Sequence, residues 1–265
     1  MLRYSRQGAG ETLVLLHGLG SYRGAWEPVV PALAAEFDVL SVDLPGFGES
    51  PPLPAGQEPT PAALAGAVAG LLDELGIDRP HVAGNSLGGW VALELAALRP
   101  LASVTLLSPA GLWPGSTPRY ARLSLRAIRE LSYRLERPLT ALMRFRPVRT
   151  AALAQVYARP GRLTPAQARA AIRAAGRCPG FLPTLRATAE RHYRSAAPIG
   201  APVTVTFGGR DRLLLARTSR HVEQLPAGAT VVALPGCGHV PMTDDPPAVA
   251  AVLAAAAHRA ASTME

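Results

Sequence analysis

The sequence predicts an α/β protein with a mostly parallel central sheet, flanked by helices and interrupted by an inserted helical segment. In residues 1–111 and again after residue 200, short apolar runs alternate with longer helical patterns, which is typical of strands joined by crossover helices. Between these two stretches only helical patterns follow one another. The 265 residues are 48% hydrophobic and 17% charged, a composition that excludes disorder and coiled coil and allows one sizeable core.

Six apolar runs are predicted to be strands, the first four of them buried and parallel. Four of them end in Gly, Asp or Ser, as turn-bounded strands do, namely Thr12–Leu16, Val39–Val42, His81–Ala83 and Val104–Leu107. Two more follow the insertion, at Val203–Phe207 and Thr230–Leu234. Ahead of the first run, residues 2–8 leave room for little more than one additional strand, so one edge strand of the sheet is expected to be missing.

Helices are predicted in the gaps between the strands. The predicted ranges are Ala25–Glu36, Pro61–Leu75, Leu87–Leu98 and, at the end, Pro247–Ala261. The second has Thr60 as N-cap, Pro61 at the first helical position and Gly76 as its stop. The last is too short and interrupted to span a bilayer, and we expect it to pack on the sheet.

The inserted segment, residues 112–200, is called the cap segment below. It carries four helical patterns, broken near Pro138, Pro160 and Pro179. The expected organisation is therefore a core formed by residues 1–111 and 201–265, with a four-helix cap inserted into it.

The positive charge of the chain is concentrated in the cap segment. All 27 cationic residues are arginine, and with 19 acidic residues they give a net charge of +8. The cap segment has 17 arginines and 3 acidic residues, a net +14, so the rest of the chain carries −6. Four of these arginines, Arg119, Arg122, Arg126 and Arg129, recur at helical spacing. They are interpreted either as a solvated face or as a surface that attracts an anionic substrate, an acidic carrier or an anionic lipid surface. No aromatic interleaving or motif supports nucleic-acid binding.

Ser86 has the sequence context of a nucleophile elbow. It lies in Gly84-Asn-Ser-Leu-Gly88, directly after a predicted strand and before a predicted helix. A serine hydroxyl presented at such a sharp turn needs small neighbours on both sides, and the two glycines meet that need.

A serine nucleophile needs a base, and the base needs an orienting carboxylate. His239 follows the strand at 230–234 in a glycine-rich loop, and Asp211 follows the strand at 203–207, so both are expected at the carboxyl edge of the sheet. Asp244 and Asp245 are interpreted instead as first-turn charges of the final helix. The predicted triad, in chain order, is Ser86, Asp211 and His239, without a metal ion or cofactor.

Five ordered blocks give the sequence a resemblance to the α/β-hydrolase superfamily, in the group with a helical cap and a Ser-His-Asp triad. They are His17-Gly-Leu-Gly20, Asp43-Leu-Pro-Gly-Phe-Gly-Glu-Ser50, Gly84-Asn-Ser-Leu-Gly-Gly89, Gly208-Gly-Arg-Asp211 and Gly236-Cys-Gly-His239. The resemblance implies the α/β-hydrolase fold, a structural role for His17, and an oxyanion hole made by the backbone N–H groups of Leu19 and Leu87. Candidate residues for the substrate pocket are Gly18, Asn85, Trp113 and Val240.

The function expected from these residues is hydrolysis of a carboxylic ester of a small-molecule acyl substrate, through an acyl-enzyme on Ser86. The same triad also fits a carbon–carbon bond hydrolase, a thioesterase, an acyltransferase, or a ligand-binding relative with slow turnover. Asparagine at position 85, directly before the serine, resembles the sequence of carbon–carbon bond hydrolases. Serine at the elbow argues against dehalogenases and epoxide hydrolases, which use aspartate there.

Two cysteines, without metal-type spacing, and the lack of an apolar leader predict a cytoplasmic protein without a transmembrane segment. The sequence does not indicate the oligomeric state.

Overall fold

A seven-stranded sheet forms the centre of the protein in the computed structural model, which describes residues 1–195 and 198–262. Residues 196–197 of the cap segment and residues 263–265 of the predicted core lie outside the described residues. The strands are β1 (Tyr4–Gln7), β2 (Thr12–Leu16), β3 (Asp38–Val42), β4 (His81–Asn85), β5 (Ser103–Leu107), β6 (Val203–Gly208) and β7 (Thr230–Leu234). They are arranged in the order β1-β3-β2-β4-β5-β6-β7.

The sheet is parallel except for its first edge strand. β1 pairs antiparallel with β3, and every other neighbouring pair is parallel. All residues of β3, β4, β5 and β6 are buried, as expected for parallel strands covered by helices on both faces. The predicted fold class is confirmed. A single strand, β1, precedes β2, as expected from the short segment at the start of the chain.

Eleven α-helices surround the sheet in the described part of the chain. They are α1 (Val30–Leu33), α2 (Pro61–Glu74), α3 (Leu87–Leu98), α4 (Arg119–Arg134), α5 (Glu136–Leu142), α6 (Arg146–Leu153), α7 (Pro165–Arg177), α8 (Phe181–Thr188), α9 (Ala216–Ser219), α10 (Pro241–Asp244) and α11 (Pro246–Ser262). Short 3-10 turns occur at Arg23–Trp26, Pro160–Arg162 and Val222–Gln224.

Two apolar layers cover the sheet, one on each face, and a third apolar cluster lies in the cap segment. Alternate residues of β2 point to opposite faces, so Val14 packs in the layer beneath α2 and α3, and Leu13 and Leu15 pack in the layer beneath α1 and α11. The final helix therefore packs on the core, as predicted. Helix α2 also begins as predicted, because the Thr60 side chain accepts a hydrogen bond from the Ala63 N–H at 3.2 Å.

The predicted helix at Ala25–Glu36 is wrong. The structure has the 3-10 turn Arg23–Trp26 and the single-turn α1 in that region. Pro28 and Pro31 have no N–H to continue a helical ladder, and proline disfavours the helical conformation of the residue before it. The apolar periodicity of this stretch therefore comes from two short turns, not from one continuous helix.

The cap segment contains five α-helices in its described part, α4 to α8, where four were predicted. Pro138 does not break a helix, because it lies in the first turn of α5, where its missing N–H has no intrahelical partner to lose. The break occurs at Leu135, whose φ of −107° and ψ of 20° leave the helical region. The chain does change direction near the other two prolines, with a 3-10 turn at Pro160–Arg162 and the gap between α7 and α8 around Pro179.

Candidate active site

Ser86 occupies a strained turn between β4 and α3. Its φ is 55° and its ψ is −114°, a combination that L-residues rarely adopt. A Cβ atom added to Gly84 would lie 2.1 Å from the carbonyl oxygen of Gly88, and one added to Gly88 would lie 2.2 Å from the carbonyl oxygen of Leu16. Only glycine fits on both sides of the serine, and the strand–turn–helix context predicted for Ser86 is confirmed.

His239 and Asp211 meet at the carboxyl edge of the sheet. Asp211 follows β6 and His239 follows the neighbouring strand β7, and the His239 Nδ1 lies 2.8 Å from the Asp211 Oδ2. The two side chains are only 4% and 1% exposed. The other carboxylate oxygen of Asp211 accepts hydrogen bonds from the N–H groups of Leu213 and Leu214, both at 2.9 Å. Asp211 is thus held in one orientation, facing the ring.

The pKa of Asp211 is lowered from its ordinary value. Burial by itself raises this pKa, but the nearby His239 and the hydrogen bonds from His239, Leu214 and Leu213 favour the charged carboxylate and outweigh burial. The aspartate is therefore ionised at neutral pH and acts as the acceptor for the Nδ1–H of His239. This tautomer leaves the Nε2 of the ring as the nitrogen that accepts a proton.

The loop that carries His239 is fixed from two sides. Asn85, the residue before Ser86, is buried, and its Nδ2 donates hydrogen bonds to the carbonyl oxygens of His239 at 2.9 Å and of Leu107 at 3.0 Å. From the cap segment, the carbonyl oxygen of Val156 accepts a hydrogen bond from the backbone N–H of His239 at 2.9 Å. Asn85 lies at the site, as predicted, and its amide N–H groups are directed at the protein backbone.

Asp244 is not a first-turn charge of the final helix, which corrects the interpretation made from the sequence. It is the last residue of α10, it is completely buried, and its carboxylate accepts hydrogen bonds from the backbone N–H groups of Ala158 at 2.9 Å, Arg159 at 2.6 Å and Gly238 at 2.8 Å. Asp245 has the expected role instead, since its Oδ1 accepts from the Ala248 N–H at the start of α11. Asp244 joins the cap segment to the loop that carries His239.

The loop after β2 passes directly beside Ser86. A Cβ atom added to Gly18 would lie 3.2 Å from the Cβ of Ser86, which places Leu19, the next residue, at the site as well. Leu87 is the first residue of α3, where a backbone N–H has no intrahelical acceptor. In the described part of the chain, neither of these two backbone N–H groups donates a hydrogen bond. Both therefore remain available to an anion.

His17 has a structural set of contacts. Its Nε2 accepts from the Leu44 N–H at 3.1 Å, its Nδ1 donates to the Gly18 carbonyl at 2.8 Å, and its ring meets Phe47 edge-on. Complete burial lowers the pKa of its imidazole, so the ring is neutral. These bonds hold the loop before Leu19, as expected for His17.

A cavity of about 350 Å³ is lined by Ser86 and His239. The predicted pocket residues Gly18, Asn85 and Val240 line it. The cap segment contributes most of the remaining wall with apolar side chains, among them Leu125, Ile128, Leu139, Ile172 and Phe181. Sequence reasoning missed these residues. Their only signal was the apolar side of the cap helices, which by itself does not distinguish a pocket wall from a packed core.

Trp113 lies outside the lining of this cavity. It is 3% exposed, its Nε1 donates to the Arg191 carbonyl at 2.9 Å, and its ring meets Trp90 edge-on. It lines a smaller space of about 30 Å³, which also touches Ser86 and Leu87. Trp113 therefore bounds a side space next to the serine.

The four arginines of the predicted stripe on α4 have different environments. Arg122 is half-buried and pairs with Glu190 at 3.0 Å, and the guanidinium of Arg129 lies 4.6 Å from the centre of the Tyr133 ring. Arg119 and Arg126 are exposed. The stripe is thus divided between two residues that pack within the cap segment and two that face solvent.

The buried thiol of Cys237 lies two residues before His239. Burial raises the pKa of this thiol to about 11, so it is protonated at neutral pH and is not a competing nucleophile. Among the described residues, no group of three or more His, Cys, Asp and Glu side chains is arranged to hold a metal ion. Within the same residues, none of the helices has the length and hydropathy needed to cross a bilayer.

Comparison with known proteins agrees with this architecture. The model of the family described as the alpha/beta hydrolase family matches residues 13–252. The dihydrolipoyllysine-residue acetyltransferase component of the acetoin cleaving system from Cupriavidus necator is 33% identical over 254 residues, which cover 90% of this chain and 62% of that protein. The chain thus spans about three fifths of the length of that relative.

Two further comparisons concern proteins named as esterases. The pimeloyl-[acyl-carrier protein] methyl ester esterase from Aeromonas hydrophila is 42% identical over 122 residues, or 43% of this chain and 46% of that protein. The structure of a thermophilic esterase from Thermogutta terrifontis superposes with a TM-score of 0.75 at 22% identity, covering 98% of this chain and 93% of the other. The last comparison supports the fold alone.

Proposed function

Because the chain belongs to the alpha/beta hydrolase family, we propose that it is a serine hydrolase that cleaves a carboxylic ester through an acyl-enzyme on Ser86. The observation that carries this proposal is the buried pair of His239 and Asp211, 2.8 Å apart, whose histidine lines the same cavity as a serine at a strained turn. A neutral imidazole with an oriented Nε2 is the group that a serine hydroxyl needs in order to attack a carbonyl carbon.

In the first half of the reaction, the Ser86 oxygen attacks the acyl carbon and its proton passes to the Nε2 of His239. Asp211 stabilises the resulting imidazolium without accepting its proton. The negative charge on the former carbonyl oxygen is met by the backbone N–H groups of Leu19 and Leu87, the second of which lies at the N-terminus of α3. His239 then returns the proton to the leaving alcohol.

In the second half, water attacks the acyl-enzyme, with His239 again as the base, and releases the carboxylic acid. The triad does not determine which nucleophile enters at this step. A thiol ester as substrate, or an alcohol in place of water, would use the same residues, so thioesterase and acyltransferase reactions are alternatives within this proposal. The carbon–carbon bond hydrolase alternative gains nothing from Asn85, because both amide N–H groups of this residue are directed at backbone carbonyls.

The size and lining of the cavity support an apolar acyl group of moderate length. Its volume of about 350 Å³ lies near the small end of the range of about 300–1,000 Å³ that is typical of ligand pockets. Among p-nitrophenyl esters, we expect kcat/KM to increase from acetate to chains of medium length and to decrease again for palmitate. A flat profile would contradict the assignment of this cavity as the acyl pocket.

The proposal is tested with Ser86→Ala and a matched control, Ser124→Ala, a half-buried serine of α4 that does not line the cavity. We expect Ser86→Ala to abolish both ester turnover and labelling by a fluorophosphonate probe, and Ser124→Ala to retain both. Near wild-type turnover in Ser86→Ala would overturn the proposal. Rapid labelling of the wild type with negligible turnover of every ester would instead favour the ligand-binding alternative.

A further inference from the structure

Helix α4 carries an exposed row of apolar side chains. Leu123, Ala127 and Leu131 of α4 and Leu135, the residue directly after it, follow one another at intervals of four residues, so they lie on one side of the helix. All four are exposed, and the three leucines are 59%, 55% and 43% exposed. We call these four residues the α4 row. Large apolar side chains in a contiguous exposed row mark a surface that contacts another apolar phase.

The α4 row is continuous with the mouth of the cavity that contains Ser86. Ala127, Leu131 and Leu135 line this cavity and are at the same time exposed to solvent. They therefore form part of its rim, and Leu123 extends the row outward from it. Any apolar phase that covered the row would also lie against the entrance to the cavity.

Two exposed arginines accompany the row. Arg119 lies four residues before Leu123, at the N-terminal end of the same row, and Arg126 lies three residues after it. Both are exposed, and no ion pair found among the described residues includes either of them. They belong to a segment with a net charge of +14.

This combination of charges and apolar groups selects one kind of partner. A second copy of the chain would bring an equally positive cap segment to the contact, so repulsion opposes self-association through the row. An anionic lipid surface offers acyl chains to the leucines and phosphate groups to the guanidinium groups in a single layer. We propose that the α4 row, with Arg119 and Arg126, docks on an anionic lipid surface and turns the mouth of the cavity toward the lipid.

Docking of this kind places the entrance where an apolar acyl substrate dissolves. The substrate would pass from the lipid phase along the leucines into the cavity without crossing bulk water. The docking itself does not depend on the reaction proposed for Ser86, and it is expected in the Ser86→Ala variant as well. Failure of docking and failure of the hydrolase proposal are therefore separate results.

The test is cosedimentation of the full chain with vesicles of phosphatidylcholine alone and of an equal mixture of phosphatidylcholine and phosphatidylglycerol. We expect binding to the mixed vesicles and much weaker binding to the neutral ones, with loss of binding at high salt. Leu123→Ser and the double variant Arg119→Glu/Arg126→Glu should each lower the partition coefficient by about tenfold or more. None of these three residues lines the cavity, so turnover of a soluble short-chain ester should stay at the wild-type level.

Matched controls place the same changes elsewhere. Val231→Ser removes an equally exposed apolar side chain from the edge strand β7, and Arg3→Glu/Arg217→Glu reverses two exposed arginines outside the cap segment. Both controls should retain vesicle binding, and urea unfolding verifies that every variant is folded. The proposal is overturned if the wild type does not bind the mixed vesicles, or if the controls lose binding as much as the α4 variants. It is also overturned if the wild type is a dimer in light scattering that Leu123→Ser dissociates, because the row would then be an interface between two copies.

Discussion

The backbone N–H of His239 donates a hydrogen bond to the carbonyl oxygen of Val156, 2.9 Å away in the cap segment. The next residue, Val240, donates to the same oxygen at 3.2 Å. The proposed catalytic base is thus fixed to the cap segment by its own main chain. A disturbance between α6 and α7 should therefore reach the imidazole without changing any residue of the triad.

Asp244 provides the sharpest test of this connection. Asp244→Asn replaces one carboxylate oxygen with an NH₂ group that faces backbone N–H donors, and we expect it to lower the free energy of unfolding by about 3 kcal/mol. Because the loop of His239 loosens, kcat should decrease much more than KM changes. Asp245→Asn is the matched control, since asparagine caps a helix as well as aspartate does, and it should stay close to wild type in both measurements. Equal effects of the two variants would contradict the connection.

Asp211 should link stability to pH in a defined direction. The pKa of Asp211 in the folded protein is lowered. The contribution of Asp211 to stability is therefore complete above the pKa of about 4 that an aspartate has in the unfolded chain, and it is lost as the pH falls through the pKa of the folded state. Asp211→Asn lacks this dependence. In urea unfolding at a series of pH values, the stability advantage of the wild type over the variant should therefore decrease as the pH falls into the acid range.

The same variant tests the role of Asp211 in catalysis. Without the carboxylate, the imidazole loses the partner that fixes its tautomer, and we expect kcat to fall on the order of 10³–10⁴-fold. Retention of kcat within a few-fold of wild type would show that another group orients His239.

Substitution by alanine should have opposite effects on the free energy of unfolding at Gly84 and at Gly70. A Cβ at Gly84 would lie 2.1 Å from the Gly88 carbonyl oxygen, and one at Gly70, on the exposed side of α2, would meet nothing within 4 Å. Gly84→Ala should thus lower the free energy of unfolding by about 2 kcal/mol or more and reduce ester turnover. Gly70→Ala should raise it by about 0.5–1 kcal/mol, because alanine favours the helix. Tolerance of alanine at Gly84 would mean that the turn is less constrained than its geometry indicates.

Asn85 should affect activity through the position of His239. Asn85→Ala leaves the carbonyl oxygen of His239 without its donor, at a cost of about 1–3 kcal/mol, while that of Leu107 keeps the Ser86 N–H. The substitution also frees one side of the His239 loop. We expect a lower kcat with little change in KM. The control is Gln224→Ala, which removes an amide that donates to the Trp113 carbonyl away from the triad. It should lose stability without a comparable loss of kcat.

Strand positions were accessible from the sequence because buried parallel strands are uninterrupted apolar runs. Thr12–Leu16 agrees with the structure at both ends, and so does Thr230–Leu234, although that edge strand is mostly exposed. The prediction of a helix at Ala25–Glu36 was wrong because the apolar spacing of this stretch is helical but its two prolines interrupt the helix. The predicted number of helices in the cap segment was wrong because Pro138 lies in the first turn of α5, where a helix tolerates proline.

The geometry of the site could be predicted only in part from the sequence, for a physical reason. Ser86, Asp211 and His239 follow strands, and parallel strands bring their ends together, so sequence order predicts their proximity. Asp244 follows no strand, and its three backbone donors come from residues 158, 159 and 238. A contact of that kind depends on how the cap segment packs, which no local pattern reveals.

The positive φ of Ser86 has a consequence for the stability of the chain. Glycine would adopt this conformation without strain, so Ser86→Gly should unfold at a higher denaturant concentration than the wild type. Ser86 therefore holds this turn at a cost in stability, which the substitution by glycine would measure directly.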